Sequence, residues 1–192
     1  PQVGGTWTAP GGGPFAGSYD PAVHAPGVYT YTVAGTAPCP NASATVTISE
    51  NDPPNAGIDN SITVCTTSAP FSLQNQLGGA PDGGGLWTAP GGGAFGGGFD
   101  PAVDAPGVYT YTVPGTAPCP NDQATLTIAV STPPVAGTDG SITLCSSDAA
   151  ASLISLLSGS PEAGGTWSGP SPVVGGMINP ATMNAGVYTY TV

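Results

Sequence analysis

Three tryptophans, Trp7, Trp87 and Trp167, stand 80 residues apart, and the cysteine pairs Cys39/Cys119 and Cys65/Cys145 keep the same interval. The heptapeptide GVYTYTV occurs at 27–33, 107–113 and 186–192. Residues 21–40 and 101–120 differ only at His24/Asp104 and Ala34/Pro114, the mark of tandem duplication of one module. The third copy, INPATMNAGVYTYTV, is looser but keeps the same turn and strand. A chain written this way is constrained to fold as one small unit of about 80 residues, several times over. It opens and closes inside a repeat and is expected to be a piece of a longer protein.

Natural boundaries fall at two proline-rich joints, SENDPPNAGIDNS (49–61) and VSTPPVAGTDGS (130–141), where adjacent prolines favour an extended, semi-rigid link. The expected parts are the C-terminal portion of a repeat (1–53), one complete repeat (54–132) and the N-terminal portion of a third (133–192). The 31 glycines and 23 prolines do not signal disorder, because aromatic and β-branched residues recur at regular intervals between them. They punctuate strands. The complete repeat predicts about seven: SITVC (61–65), FSL (71–73), GLWTA (85–89), one or two within 92–99, GVYTYTV (107–113) and QATLTIAV (123–130). Alternation puts Tyr109, Tyr111 and Val113 on one face of their strand, and Ala124, Leu126, Ile128 and Val130 on the core side of the last. Asp100-Pro101, Asp20-Pro21 and Asn179-Pro180 each set a capping side chain before a proline of fixed φ, which predicts a single helical turn ahead of the tyrosine strand. LQNQLGG and LISLLSG are read as further short turns.

A tryptophan in a middle strand and Gly-x-Tyr at the entry to the penultimate one resemble an immunoglobulin-like sandwich. Trp87 is then the core plug, Trp7 and Trp167 its counterparts, Tyr109 the corner tyrosine and Tyr111 its core neighbour. The expected fold class is all-β: tandem immunoglobulin-like sandwiches arranged as a rod, each adding roughly 35–45 Å at about 3.3 Å per strand residue plus loops.

The charge balance removes several functions. There is no Lys or Arg, and the formal net charge is −11. Nucleic-acid binding and electrostatic attachment to anionic lipid both need cations that the chain lacks. No apolar run reaches the roughly 20 residues of a membrane span. Lysine-based isopeptide cross-links and trypsin cleavage are also excluded.

Candidate sites are few. His24 is the only histidine and is replaced by Asp104 in the next copy, so no Ser-His-Asp set can be built in the complete repeat. No paired-carboxylate hydrolase is supported, since Asp100 has a capping role and its third counterpart is neutral Asn179. The chain is read as a non-enzyme without cofactor. For a calcium ion the candidates are Glu50, Asp52 and Asp59 at the first joint, but the second joint offers only Asp139 and no loop matches the twelve-residue calcium pattern. Two disulfide schemes compete: Cys65 with Cys119 inside one repeat, which is preferred, or Cys39 with Cys65 and Cys119 with Cys145 across the joints. In a standard sandwich the preferred pair would lie at opposite poles. Asn41-Ala42-Ser43 fits a glycosylation acceptor that the next copy lacks.

AGTDGSITLC, SGSPEAGGTWSGP, NPATMNAGVYTYTV and GTAPCPNASATVTI together resemble the tandem repeats of giant cell-surface adhesins of gliding and related Bacteroidota. The resemblance covers nearly the whole chain. It implies a long protein exported across the outer membrane, displayed as a filament and used for attachment or for gripping a surface during gliding. The expectation is therefore a structural and adhesive stalk, extracellular and attached to the cell surface. Its partners would be neighbouring repeats, other filament chains, and a surface or glycan reached through other parts of the protein. The competing expectations are spacer modules of a secreted polysaccharide-degrading enzyme, or modules that bind carbohydrate themselves.

Overall fold

A computed structural model describes residues 4–192. Among these the regular structure is almost entirely β. The first copy contributes β1 (Thr6–Thr8), β2 (Pro14–Phe15), β3 (Gly27–Val33) and β4 (Ala42–Ile48). The middle copy contributes β5 (Asn60–Cys65), β6 (Phe71–Ser72), β7 (Leu86–Thr88), β8 (Ala94–Phe95), β9 (Gly98–Phe99), β10 (Gly107–Val113) and β11 (Asp122–Ser131). The third contributes β12 (Ala151–Ser152), β13 (Thr166–Ser168), β14 (Met177–Ile178) and β15 (Thr189–Thr191). LQNQL and LISLL each hold one 3-10 turn, at Gln74–Gln76 and Ile154–Leu156. The middle-copy strands fall where alternation and turn residues predict them.

The strands order as a four-stranded sheet, β2-β1-β3-β4, a five-stranded sheet, β5-β11-β10-β7-β8, and three two-stranded pairs, β6-β9, β12-β14 and β13-β15. The chain divides into two compact units that interleave along the sequence. One takes in the chain up to Asn60 with Ser72–Gly98 and Val108–Thr127; the other takes in Ser61–Phe71, Phe99–Gly107 and Ile128–Val192. In the second unit Phe71 and Phe99 pack ring on ring at 5.5 Å. Thr66 N–H there donates to Ser131 O at the end of β11 (2.9 Å).

Buried side chains concentrate in the middle copy. Along β10 these are Tyr109, Tyr111 and Val113; along β11, Ala124, Leu126 and Ile128. The residues between them on β11 are threonine and alanine at 125, 127 and 129, more exposed than their neighbours. The outer faces are thus hydrated without charge, and period-two patterning alone assigns each strand a core side.

A second device recurs in all three copies. The tryptophan sits directly across from a tyrosine of the neighbouring strand: Trp7 from Tyr31, Trp87 from Tyr111 and Trp167 from Tyr190. The ring centroids lie 5.1, 5.0 and 5.0 Å apart. Each tyrosine hydroxyl accepts the N–H of a glycine two residues before the tryptophan, Gly5, Gly85 or Gly165. Tyr111 and Tyr190 donate in turn to Asp82 O and Glu162 O, both at 2.7 Å. Glycine is required there for space: a Cβ on Gly85 would stand 2.5 Å from Tyr111 Cζ and 2.7 Å from Thr112 O. Each of these tyrosines therefore ends in a bonded polar tip, which lets tyrosine stand in place of a purely apolar residue at little hydrogen-bonding cost.

The helical turn before the tyrosine strand forms in all three copies. Asp20, Asp100 and Asn179 accept the N–H two residues on through Oδ1, at 2.9, 3.0 and 3.0 Å. Backbone i+4 to i bonds close the turns at His24, Asp104 and Met183. Behind the turn, Tyr29 donates to Ala25 O (2.8 Å) and Tyr188 to Asn184 O (2.7 Å).

Candidate functional site

The most heavily worked part of the chain is the first joint. Asn55 N–H donates to Asp82 Oδ2 (2.8 Å), Ala56 N–H to Asp122 Oδ2 (2.8 Å), and Asn55 Nδ2 to the carbonyls of Gly79 and Ala80. Four residues earlier, Asn51 Nδ2 donates to Ala117 O (2.8 Å), and the Cys119 thiol donates to Asn51 O (3.2 Å). Asp59 Oδ1 takes the N–H of Thr125 on β11 (2.7 Å). The Asn-Asp-Pro-Pro joint is thus fastened at both ends by side chain to backbone bonds. In a chain without Lys or Arg, carboxylates find backbone amides as partners, and such charge-assisted bonds are stronger than neutral ones.

Among the calcium candidates, Asp59 Oδ1 accepts the Thr125 amide and Glu50 accepts the Tyr19 hydroxyl. No three His, Cys, Asp or Glu side chains among the described residues converge as a metal site. Asp82, Asp122, Asn51 and Asn55 are the residues that sequence reading passed over. Each occurs once, so no periodicity marks it.

Tyr19 is half-buried, and burial first, then the Glu50 hydrogen bond, pushes its hydroxyl up to about 12. It also donates to His24 O (3.0 Å). His24 itself caps a turn: its Nδ1 accepts Asp20 N–H (2.9 Å), as Asp104 Oδ2 accepts Asp100 N–H (2.7 Å) and Met183 Sδ accepts Asn179 N–H (3.2 Å). Three chemically different acceptors do one job, which explains the His24/Asp104 exchange without catalysis. Asn41 latches its hairpin loop, with Oδ1 accepting Gly35 N–H (3.0 Å), and Asn121 does the same for Gly115.

The four cysteines are thiols, and neither expected pairing is formed. Cys65 accepts the Thr67 hydroxyl (3.2 Å), which holds its thiol below the usual range, and Cys119 is occupied with Asn51. Trp87 is buried, with 7 % of its surface exposed, whereas Trp7 and Trp167 are half-buried. A sugar platform needs an exposed ring, which the middle copy does not offer at this position. In the third copy a cavity of about 740 Å³ opens among residues 136–190. Its size falls within the range of roughly 300–1,000 Å³ typical of ligand clefts.

The described residues thus define an all-β protein whose polar side chains fasten turns and a joint, with no nucleophile–base pair among the contacts of its single histidine. No helix among them is long and apolar enough to cross a membrane. No family model, curated protein or solved structure matches the chain.

Proposed function

We propose that this chain is a run of tandem immunoglobulin-like β-sandwich repeats serving as a structural and adhesive element of a long, extracellular, surface-attached filament. The observation that supports this reading is the fastened joint. Asn51, Asn55, Asp82 and Asp122 tie the proline link to the loops and strand of the repeat that follows, so tension along the chain enters a hydrogen-bonded sheet instead of a free hinge. The Tyr29 and Tyr188 bonds to carbonyls four residues upstream have the form of the tyrosine corner of immunoglobulin-like domains. An uncharged, threonine-rich outer face suits a part exposed to varying salt, because few of its contacts depend on screening. The repeats act mechanically and not as an enzyme, and attachment to a surface or glycan is carried by the filament they build.

The test is gold-labelled antibody against one recombinant repeat, imaged on intact cells by electron microscopy. Label spaced along thin fibres leaving the cell is the expected result. Label confined to soluble enzyme in the medium, with bare cells, would overturn it and make these repeats spacers.

A further inference from the structure

The first and middle copies end their sheets on the same short strand and differ there in one residue. β2 (Pro14–Phe15) and β8 (Ala94–Phe95) each lie at the edge of a sheet, against the tryptophan strand. Thr8 faces Pro14 and Thr88 faces Ala94 across the antiparallel ladder. Just before these pairs, Ala9 N–H donates to Gly13 O and Ala89 N–H to Gly93 O, both at 2.8 Å. Opposed residues of an antiparallel ladder alternate between bonding each other and pointing their N–H and C=O away. Since 89 and 93 bond each other, the backbone groups of Ala94, and of Gly96 two residues on, point away from β7 toward the open side of the sheet. In the first copy Pro14 has no N–H to offer at that place. Proline on an edge strand blocks pairing with another chain, and the middle copy carries no such block.

The surroundings of β8 are bare. None of Gly93, Gly96 and Gly98 has a positive φ, and a Cβ on any of them would meet nothing within 4 Å. The fold therefore does not require glycine at these three places. Glycine there leaves room for a second backbone to come close. No acidic residue lies between Asp82 and Asp100. The net charge of −11 opposes self-association of the chain, but this stretch brings no charge to a contact.

We propose that β8 is a lateral docking edge whose occupant is the β8 edge of a second copy of this chain. In an antiparallel pair centred on Phe95, Ala94 faces Gly96 of the second copy, and Gly96 faces Ala94 of the second copy. This two-fold arrangement uses the outward N–H and C=O groups of both edges at once, the self-complementarity that a symmetric contact requires. Phe95 stays packed on Tyr109, with ring centroids 4.9 Å apart, so the pairing needs no rearrangement of the core. The edge is two residues long, and one such contact is weak, with a dissociation constant on the order of 1 mM. The inference deepens the filament reading and rests on it for its effect, because neighbouring filaments repeat the contact and the repeats act together. Copies with alanine at this position join and copies with proline do not, so one residue sets which repeats pair.

The experiment dilutes the isotope-labelled 192-residue chain from about 2 mM to about 0.05 mM, a range that brackets the expected constant, with amide shifts and diffusion read in the same samples. Concentration-dependent shifts at Ala94 and Gly96, with slower diffusion at the high end, are expected. Ala94→Pro installs the residue that the first copy already carries and should weaken self-association by more than about tenfold. Gly96→Glu fits the open space at that position and sets like charges across the contact. It should weaken association at low salt and recover part of it at high salt, which Ala94→Pro should not. A chain that stays monomeric at the highest concentration would overturn the proposal. So would concentration-dependent shifts confined to β4 or β5, or self-association that Ala94→Pro leaves untouched. These outcomes are read on the isolated chain, so they stand or fall apart from the gold-label test of the filament.

Discussion

The first and middle copies place the same residues in different company, and the comparison separates two requirements that an isolated domain would merge. GVYTYTV is a full seven-residue strand in both, as β3 and β10. Each runs between the tryptophan strand and the copy's last strand. Burial is another matter. On β10 the three alternate side chains Tyr109, Tyr111 and Val113 are buried, while on β3 only Tyr29 is. Val46 on β4 is 48 % exposed and its middle-copy counterpart Leu126 is 0 % exposed. Ala56, Leu73 and Leu77 join the buried side chains of the middle copy. A paired neighbour makes the strand; a second layer makes the core. In the third copy Leu153 is buried and the tyrosine strand is three residues long.

The sharpest way to break the comparison is to remove the tryptophan from each copy in turn. Trp87→Ala empties a buried site against Tyr111 and should cost about 3–5 kcal/mol. Trp7→Ala removes a half-buried ring with the same partner geometry and should cost less than half as much, because less of its surface leaves water on folding. Denaturant unfolding with copy-resolved hydrogen exchange distinguishes the two. Equal costs would mean that the ring stack, and not the second layer, dominates.

Next in size is the glycine lock. Gly85→Ala drives a Cβ against Tyr111 and the Thr112 carbonyl, and should destabilise by about 1–3 kcal/mol. Gly83→Ala, two residues away, meets nothing within 4 Å and should stay within about 0.5 kcal/mol of wild type. Adding Tyr111→Phe to Gly85→Ala should cost less than the sum of the single changes, since both act on one contact. Additive values would show that the tyrosine hydroxyl does not hold this glycine.

Much of this was legible in the sequence, for a physical reason. Period-two burial, Asx-Pro turns and tryptophan spacing repeat with the module, so three copies of one signal reinforce each other. The seven middle-copy strands and the capping turns at Asp20, Asp100 and Asn179 follow directly. The latches at Asn51, Asn55, Asp82 and Asp122 were not legible, because a side chain reaching a distant backbone amide leaves no periodic trace. The acids at the first joint read as calcium candidates because charge without a visible partner suggests a metal; the structure gives Asp59 a backbone N–H and Glu50 a tyrosine hydroxyl. The cysteine pairings stayed open at the same level, since spacing carries no information about which neighbour a thiol meets.

A smaller contrast concerns alkaline pH. Tyr19 in the first copy corresponds to Phe99 in the middle, so only the first has an ionisable ring at that place. Its hydroxyl is raised from the usual 10 to about 12, meaning that the folded state holds the proton more tightly than the unfolded chain does. The stability this contributes is complete below pH 10 and is lost as pH rises toward 12. A carbon NMR titration of the Tyr19 ring should give a midpoint near 12 that falls part of the way toward 10 in Glu50→Gln. A midpoint unmoved by that change would mean that the Glu50 contact is not what shifts the ring.

The smallest effect is the most specific to the repeat. If His24 serves only as the acceptor for Asp20 N–H, replacing it with the residue that does this job in the middle copy should be nearly silent. His24→Asp is expected within about 0.5 kcal/mol of wild type by thermal unfolding. His24→Leu keeps the bulk but removes the acceptor, and should cost about 0.5–2 kcal/mol, the range for a lost capping bond. The ring contacts to Phe15 and Tyr19, at 5.1 and 5.7 Å, give histidine a second tie that aspartate cannot copy. Were His24→Asp the more damaging of the two, that aromatic packing would outweigh the cap, and the interchange between copies would depend on Phe15 and Tyr19 and not on the turn they share.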